Sequence, residues 1–165
     1  MVILGIDPGI GRMGWGIIEK IQNSHFAARR AEFRIQNYGC VETKSDLAIE
    51  DRLRTVYEKI TEIVKEYKPD VLAIEELFFN TNAKTAFIVG EARGVVLLAA
   101  SQKKLSVAVY TPLQVKTSIT GYGRAEKAQI GQMVKVLLKL KEIPKPDDVS
   151  DALAVALTHA FYKKF

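Results

Sequence analysis

The stretch at residues 2–20, VILGIDPGIGRMGWGIIEK, decides the fold. Its first six residues are an apolar run that Pro8 and Gly9 stop, which predicts a short buried strand. The glycines at 9, 11 and 14 then match the G-x-G-x-x-G spacing of a dinucleotide-binding turn. That site needs a helix to open on the glycines, so that its N-terminus faces a pyrophosphate. Here Trp15, Gly16, Ile17 and Ile18 continue as a second strand, and Asp7 would set a negative charge beside the phosphates. The glycines are therefore expected in a β-turn, and the chain opens on a hairpin instead of a nucleotide-binding crossover.

Working outward, residues 31–43, AEFRIQNYGCVET, predict a third strand, and the polar IQNSHFAARR at 21–30 a solvated turn. Three strands in succession predict an antiparallel meander. The period then changes. Leu53, Val56, Ile60, Val64 and Tyr67 recur every three or four residues, one face of a helix, with Asp46 as its expected cap and KPD at 68–70 as its end. VLAIE at 71–75 predicts a fourth, central strand, residues 83–103 a helix, and LSVAVY at 105–110 a fifth strand. Helices are expected at about 113–119, 125–140 and 147–163. In the helix at 83–103, Ala86, Gly90 and Gly94 form a small-residue stripe. Each glycine costs a helix roughly 1 kcal/mol, so a close neighbour is expected there. The sum is an α/β fold in one domain, 1–165: a five-stranded mixed sheet, a three-strand antiparallel meander plus parallel strands, with helices on both faces.

Composition narrows the function. At 165 residues with 48% hydrophobic residues, the chain is long enough to bury about 70% of its unfolded surface. The longest apolar stretch, AFIVGEARGVVLLAA, is broken by Glu91 and Arg93, so no membrane span is expected. The start lacks the basic segment of a signal peptide, and Asp7 interrupts its apolar run. A single cysteine, Cys40, excludes an internal disulfide and agrees with a cytoplasmic setting. Cys40 falls inside a strand and is expected as a small core residue. A net charge of +5 leaves nucleic acid among the partners to consider.

Asp7 ends an apolar strand, as does Glu75. By alternation Glu75 shares a face with Ala73, opposite Leu72 and Ile74. A buried, unpaired carboxylate is costly, so Glu75 must face a cavity, a cation or solvent, with Glu76 the more exposed neighbour. In DDVSDALAVALTHAF at 147–161, Asp148 and Asp151 lie three apart, and Asp147 and Asp151 four apart, on one helical face. Val149, Ala152, Leu153, Ala156 and Ala160 form one apolar stripe, and Val155 continues the acid row, so the helix is expected buried nearly all round with its acids facing inward or into a cleft. Asp147, after Pro146, suits an N-cap. If Asp7, Glu75, Asp148 and Asp151 converge, they repel one another unless cations neutralise them. Oxygen-only ligands point to Mg2+ or Mn2+. Two such ions about 4 Å apart serve phosphodiester cleavage. His25 is expected in a loop. His159 is too far from Asp151 along the helix to share a metal with it.

These residues resemble RuvC-type Holliday junction resolvases, within the RNase H-like superfamily. The resemblance runs over nearly the whole chain and rests on ILGIDPG, AIEELFF, ARG, QVK, GYGRAEKAQI and DDVSDALAVALTH in that order. It implies a homodimeric endonuclease that binds four-way DNA junctions and nicks two strands of like polarity symmetrically, using divalent metal, alongside the RuvA–RuvB branch-migration complex. It places the family's acidic tetrad on Asp7, Glu75, Asp148 and Asp151, and D-x-x-D-A-L-A selects Asp148 over Asp147. It places a junction-probing phenylalanine on Phe78 and two lysines flanking the site on Lys116 and Lys127. Residues 22–32 exceed the length the family leads one to expect.

On the residues alone, an aromatic at Phe78 or Phe79 is more often core than a stacking partner for an unpaired base, and Lys116 and Lys127 read more readily as surface lysines than as phosphate contacts beside a helix N-terminus. Three other functions stay open at this level: an RNase H-like nuclease acting on RNA or hybrid, an actin–hexokinase-type phosphotransferase with a D-x-G turn, and a binding module without catalysis.

Overall fold

A computed structural model describes residues 1–21, 32–77 and 83–162, the first three of the last group by backbone only. The strands are β1 (Val2–Asp7), β2 (Arg12–Ile21), β3 (Glu32–Glu42), β4 (Val71–Glu75) and β5 (Ser106–Tyr110). The helices are α1 (Ile49–Tyr67), α2 (Ala83–Gln102), α3 (Pro112–Thr120), α4 (Lys127–Leu137) and α5 (Asp147–Tyr162). Residues 22–31, with His25, and residues 78–82, with Phe78 and Phe79, lie outside the described residues.

The strands form one sheet in the order β3-β2-β1-β4-β5. β1, β2 and β3 pair antiparallel, while β4 runs parallel to both β1 and β5. The expected meander is therefore present, and Trp15 pairs with Ile6 as a strand residue. Alternation along the strands splits the core in two. Ile3, Ile18, Val71 and Ala73 pack under α3, α4 and α5. Leu4, Ile6, Ile17, Leu72 and Ile74 pack under α1 and α2. The α1 face follows its periodicity, with Val56, Ile60 and Val64 buried.

Three local expectations differ. The α1 N-cap is Ala48, which makes no side-chain cap bond, so Asp46 does not cap it. Asp147 is the first helical residue of α5 instead of its cap. Cys40 is half-buried at the rim of the core, because β3 is the edge strand of the meander.

α5 is buried from Val149 to Ala160 except at Asp151, which is half-buried. It lies unusually close to the sheet because glycines stand beneath it. A Cβ on Gly5 would fall 2.1 Å from the Ala152 carbonyl oxygen, and one on Gly14 1.9 Å from that of Asp148. Of the glycines that mimic a nucleotide turn, Gly14 thus has a packing cause: with Gly5 it lets the acidic helix settle onto β1 and β2, while Gly9 packs against the Arg12 carbonyl of its own turn. Tyr110 Oη, 2.7 Å from His159 Nδ1, ties β5 to the same helix in the interior.

Candidate active site

β1 and β4 run side by side, with Ile6 opposite Ile74, so Asp7 and Glu75 end adjacent strands at the same edge of the sheet. Both continue the rows of Gly5 and Ala73 and so face α5. The close seat of α5 brings Asp148 and Asp151 over the same edge. The structure therefore sets all four predicted carboxylates, from three elements, within electrostatic reach of Asp7.

Their electrostatics reflect this crowding. Burial, then the charges of Asp151, Glu75 and Asp148, push the Asp7 carboxyl up to about 8, against an ordinary 3.8. Burial and Asp151 push Glu75 up to about 7, against the counter-pull of Lys116 and Lys127. Asp151 is also raised, chiefly by burial, although Lys127 opposes the shift. Asp147 behaves differently: its side chain is 72% exposed, against 22% for Asp151, so it sits outside the cluster.

Cations approach from two sides. Lys127 Nζ lies 2.7 Å from Asp151 Oδ2 and 4.0 Å from Asp147 Oδ2. Its carboxylate partners raise its pKa despite the opposing effect of burial. α4 starts at Lys127, with the Glu126 amide donating to Gln129 Oε1 at 2.8 Å, and this fixes the lysine's place at the helix start. Lys116 is positioned through α3. There the Thr111 amide donates to Gln114 Oε1 and the Gln114 amide to Thr111 Oγ1, a reciprocal cap. Lys116 and Lys127 share with Glu75 and Asp151 the walls of a cleft of about 250 Å³. On the opposite side Arg12 Nε lies 3.7 Å from Asp148 Oδ2. Arg12 was not singled out in the sequence, where it reads as one residue of a glycine-rich turn. Only the fold brings that turn to α5.

Whether the group suits a metal ion is a question of donors. All four candidate donors are carboxylates, none of them fully exposed, with three basic side chains, Lys116, Lys127 and Arg12, around them. The nearby Cys40 thiol is raised by burial and by Asp148. His159 is turned to Tyr110 in the core. The donor chemistry suits a hard divalent cation. Among the described residues no three acid, histidine or cysteine side chains close around a single point, and the ammonium of Lys127 is the cation nearest Asp151.

Comparison with known proteins follows the same lines. A family model described as crossover junction endodeoxyribonuclease RuvC matches residues 3–159. The crossover junction endodeoxyribonuclease RuvC of Alkaliphilus oremlandii is 52% identical over 165 residues, covering 100% of this chain and 96% of that protein. The solved structure of Thermus thermophilus RuvC aligns with a TM-score of 0.88 at 36% identity, over 98% of this chain and 95% of that one. The structure of T. thermophilus RuvC in complex with Holliday junction substrate aligns with a TM-score of 0.86 at 34% identity, over 98% and 94%. From its first strand to its acidic last helix, the chain belongs to the crossover junction endodeoxyribonuclease RuvC family and has that family's RNase H-like fold.

Proposed function

We propose that this chain is a homodimeric, structure-specific endonuclease that binds four-way DNA junctions and nicks two strands of like polarity symmetrically, with Mg2+ or Mn2+ as its cofactor. The observation that carries the reading is the convergence of Asp7, Glu75, Asp148 and Asp151 in a chain of this family. A structural neighbour solved with Holliday junction substrate supports the substrate class.

Asp7, Glu75, Asp148 and Asp151 would hold the metal ions. Two divalent ions at such a site activate a water nucleophile and stabilise the leaving oxygen of a phosphodiester. Lys116 and Lys127 line the cleft beside these acids and draw the phosphate into it by charge. Lys127 already stands one contact from Asp151, so a phosphate resting on the acids meets its ammonium. Phe78, three residues beyond the end of β4, is assigned to stack on an unpaired base at the crossover.

Support for the homodimer comes from α2. Its Phe87 and Leu98 are 71% and 53% exposed, and a Cβ added at Gly94 would meet nothing within 4 Å. At Gly94 the small-residue stripe thus lacks the neighbour expected for it among the described residues, and a second copy is the natural one for two symmetric nicks. The RuvA–RuvB complex is proposed as a partner on family membership, and a DNA substrate sets the protein in the cytoplasm. No helix among the described residues is long and apolar enough to cross a membrane.

The test is incubation of a labelled four-way junction with the protein and Mg2+, with cut sites mapped beside a linear duplex and an RNA–DNA hybrid. Paired nicks at symmetric positions in the junction are expected. Cleavage of the hybrid with the junction left intact would overturn the reading.

A further inference from the structure

We propose that Arg12 and Lys44 form a second phosphate-binding flank, on the side of the acids opposite Lys116 and Lys127, so that the bound DNA strand runs across the end of the sheet. This rests on the endonuclease reading above.

The sheet order supplies the argument. At the edge where Asp7 and Glu75 end, the sequence across the sheet is β3-β2-β1-β4-β5. The acids occupy its middle, on β1 and β4. Lys116 and Lys127 lie beyond β4, in the cleft shared with Glu75 and Asp151. Arg12 opens β2, two residues before Gly14 and therefore on the same α5-facing side. Lys44 follows β3, whose Glu42 pairs with Arg12, and the Thr43 amide donates to the Gly11 carbonyl at 3.1 Å. A DNA strand crossing this edge meets positive, negative and positive charge in turn. From β2 to β5 is three strand spacings, roughly 14 Å, about four stacked nucleotides at some 3.4 Å each.

The flank is also a shaped surface. Gly11, Arg12, Glu42, Thr43 and Lys44 line a shallow cleft of about 610 Å³. Arg52 backs it, donating from Nε to Thr43 Oγ1 at 2.9 Å, while the Thr43 hydroxyl bonds the Ile10 carbonyl. The cleft thus carries two cations, Arg12 and Lys44, to one acid, Glu42, with Arg52 behind it on Thr43. Arg12 is 56% exposed and touches Asp148 only through Nε at 3.7 Å. A guanidinium has five donors in a fork that suits phosphate, so most of its binding capacity faces outward. An acidic site that must accept a polyanion gains from such flanks on both sides, since each neutralised phosphate releases counterions.

The experiment measures binding of a fluorescent four-way junction by anisotropy without divalent cation, so that nothing is cut, from about 50 to about 300 mM salt. The chains compared are wild type, Arg12→Ala/Lys44→Ala, the charge-keeping Arg12→Lys/Lys44→Arg, and Lys103→Ala at the far end of the sheet. The alanine pair is expected to lower the slope of log K against log salt by about 1.4–1.8, while the other two variants keep the wild-type slope. An unchanged slope in a folded alanine pair, with wild type binding normally, overturns this flank and leaves the endonuclease reading intact. A fall in slope that the charge-keeping pair fails to restore also overturns it, since a phosphate contact needs the charge. A wild-type chain that neither binds nor cuts the junction removes the endonuclease reading, and this proposal with it.

Discussion

Two helices of this molecule are rich in small residues, and they use them in opposite ways. α5 brings Ala152, Ala156 and Ala160 down onto the sheet, where Gly5 and Gly14 let its backbone approach almost to contact. α2 carries Gly90 and Gly94, yet among the described residues an added Cβ at Gly94 meets nothing within 4 Å and one at Gly90 meets Leu77 Cδ1 alone, at 3.8 Å. On α5 the missing side chains set the depth at which two aspartates hang over the strand ends. On α2 they leave a face that the described chain does not cover. A small-residue stripe therefore says that something approaches closely; only the fold says whether it is the protein's own sheet or another molecule.

The largest effect is expected where the close approach serves chemistry. Asp7→Asn should lower junction cleavage by at least about 10³-fold, equivalent to about 4 kcal/mol of barrier. Asp147→Asn should leave cleavage within a few-fold, because that side chain is outside the cluster. Gel assays of strand nicking read both. Equal losses would mean that α5 presents its acids differently from the way its seat on Gly14 dictates.

Next comes the seat itself. Gly14→Ala must displace α5, since the new methyl would stand 1.9 Å from a backbone oxygen that cannot swing aside as a side chain does. A loss of about 3 kcal/mol is expected from this overpacking, read by urea unfolding. A neutral outcome would remove the packing account of the glycines.

The acids also tie stability to pH. Asp7 has a folded pKa of about 8 against 3.8, and Glu75 about 7 against 4.5. The folded chain then holds protons that the unfolded chain has already lost, so stability falls as pH rises between about 4 and about 8. Without divalent cation, the urea midpoint should be higher at pH 5.5 than at pH 8. Asp7→Asn should flatten that slope and stabilise the protein at pH 8 by a few kcal/mol. A midpoint that rises with pH in the same range, in wild type and not in the variant, would contradict the buried, crowded placement of these carboxylates.

Much of this was legible in the sequence because it is local. A strand that ends on an acid before Pro8, or apolar VLAI that ends on Glu75, marks a carboxylate at a sheet edge without reference to the rest of the chain. The all-round apolar pattern of α5 announced its burial in the same way. What was not legible depends on contacts distant in sequence. Nothing near Arg12 says that its turn will meet α5, and the close fit of Gly5 and Gly14 beneath that helix exists only once both are folded. Choosing Asp148 over Asp147 needed the family motif, since helical spacing treats the two alike. Asp46 failed as a cap because α1 starts at Ile49, after an Ala48 without a side-chain acceptor. Boundaries of this kind are set by how the loop packs, not by the nearest good capping residue.

The smallest effect gives the finest test of the comparison, at Gly94. Glycine inside a helix costs roughly 1 kcal/mol relative to alanine. Among the described residues nothing offsets that cost, because the added methyl meets none of their atoms within 4 Å. Gly94→Ala should therefore stabilise the isolated subunit by up to about 1 kcal/mol, measured by unfolding at a concentration low enough to keep it monomeric. If α2 packs against α2 of a second copy, the same methyl stands where two backbones need to approach, and association should weaken. Sedimentation over a concentration series, with Leu98→Asp as the strongly disrupting comparison, reads that second quantity. A subunit made more stable and a dimer made weaker by one methyl is the signature of a glycine held for a partner. A stabilised subunit with unchanged association would instead show that the open face of α2 is not where two copies meet.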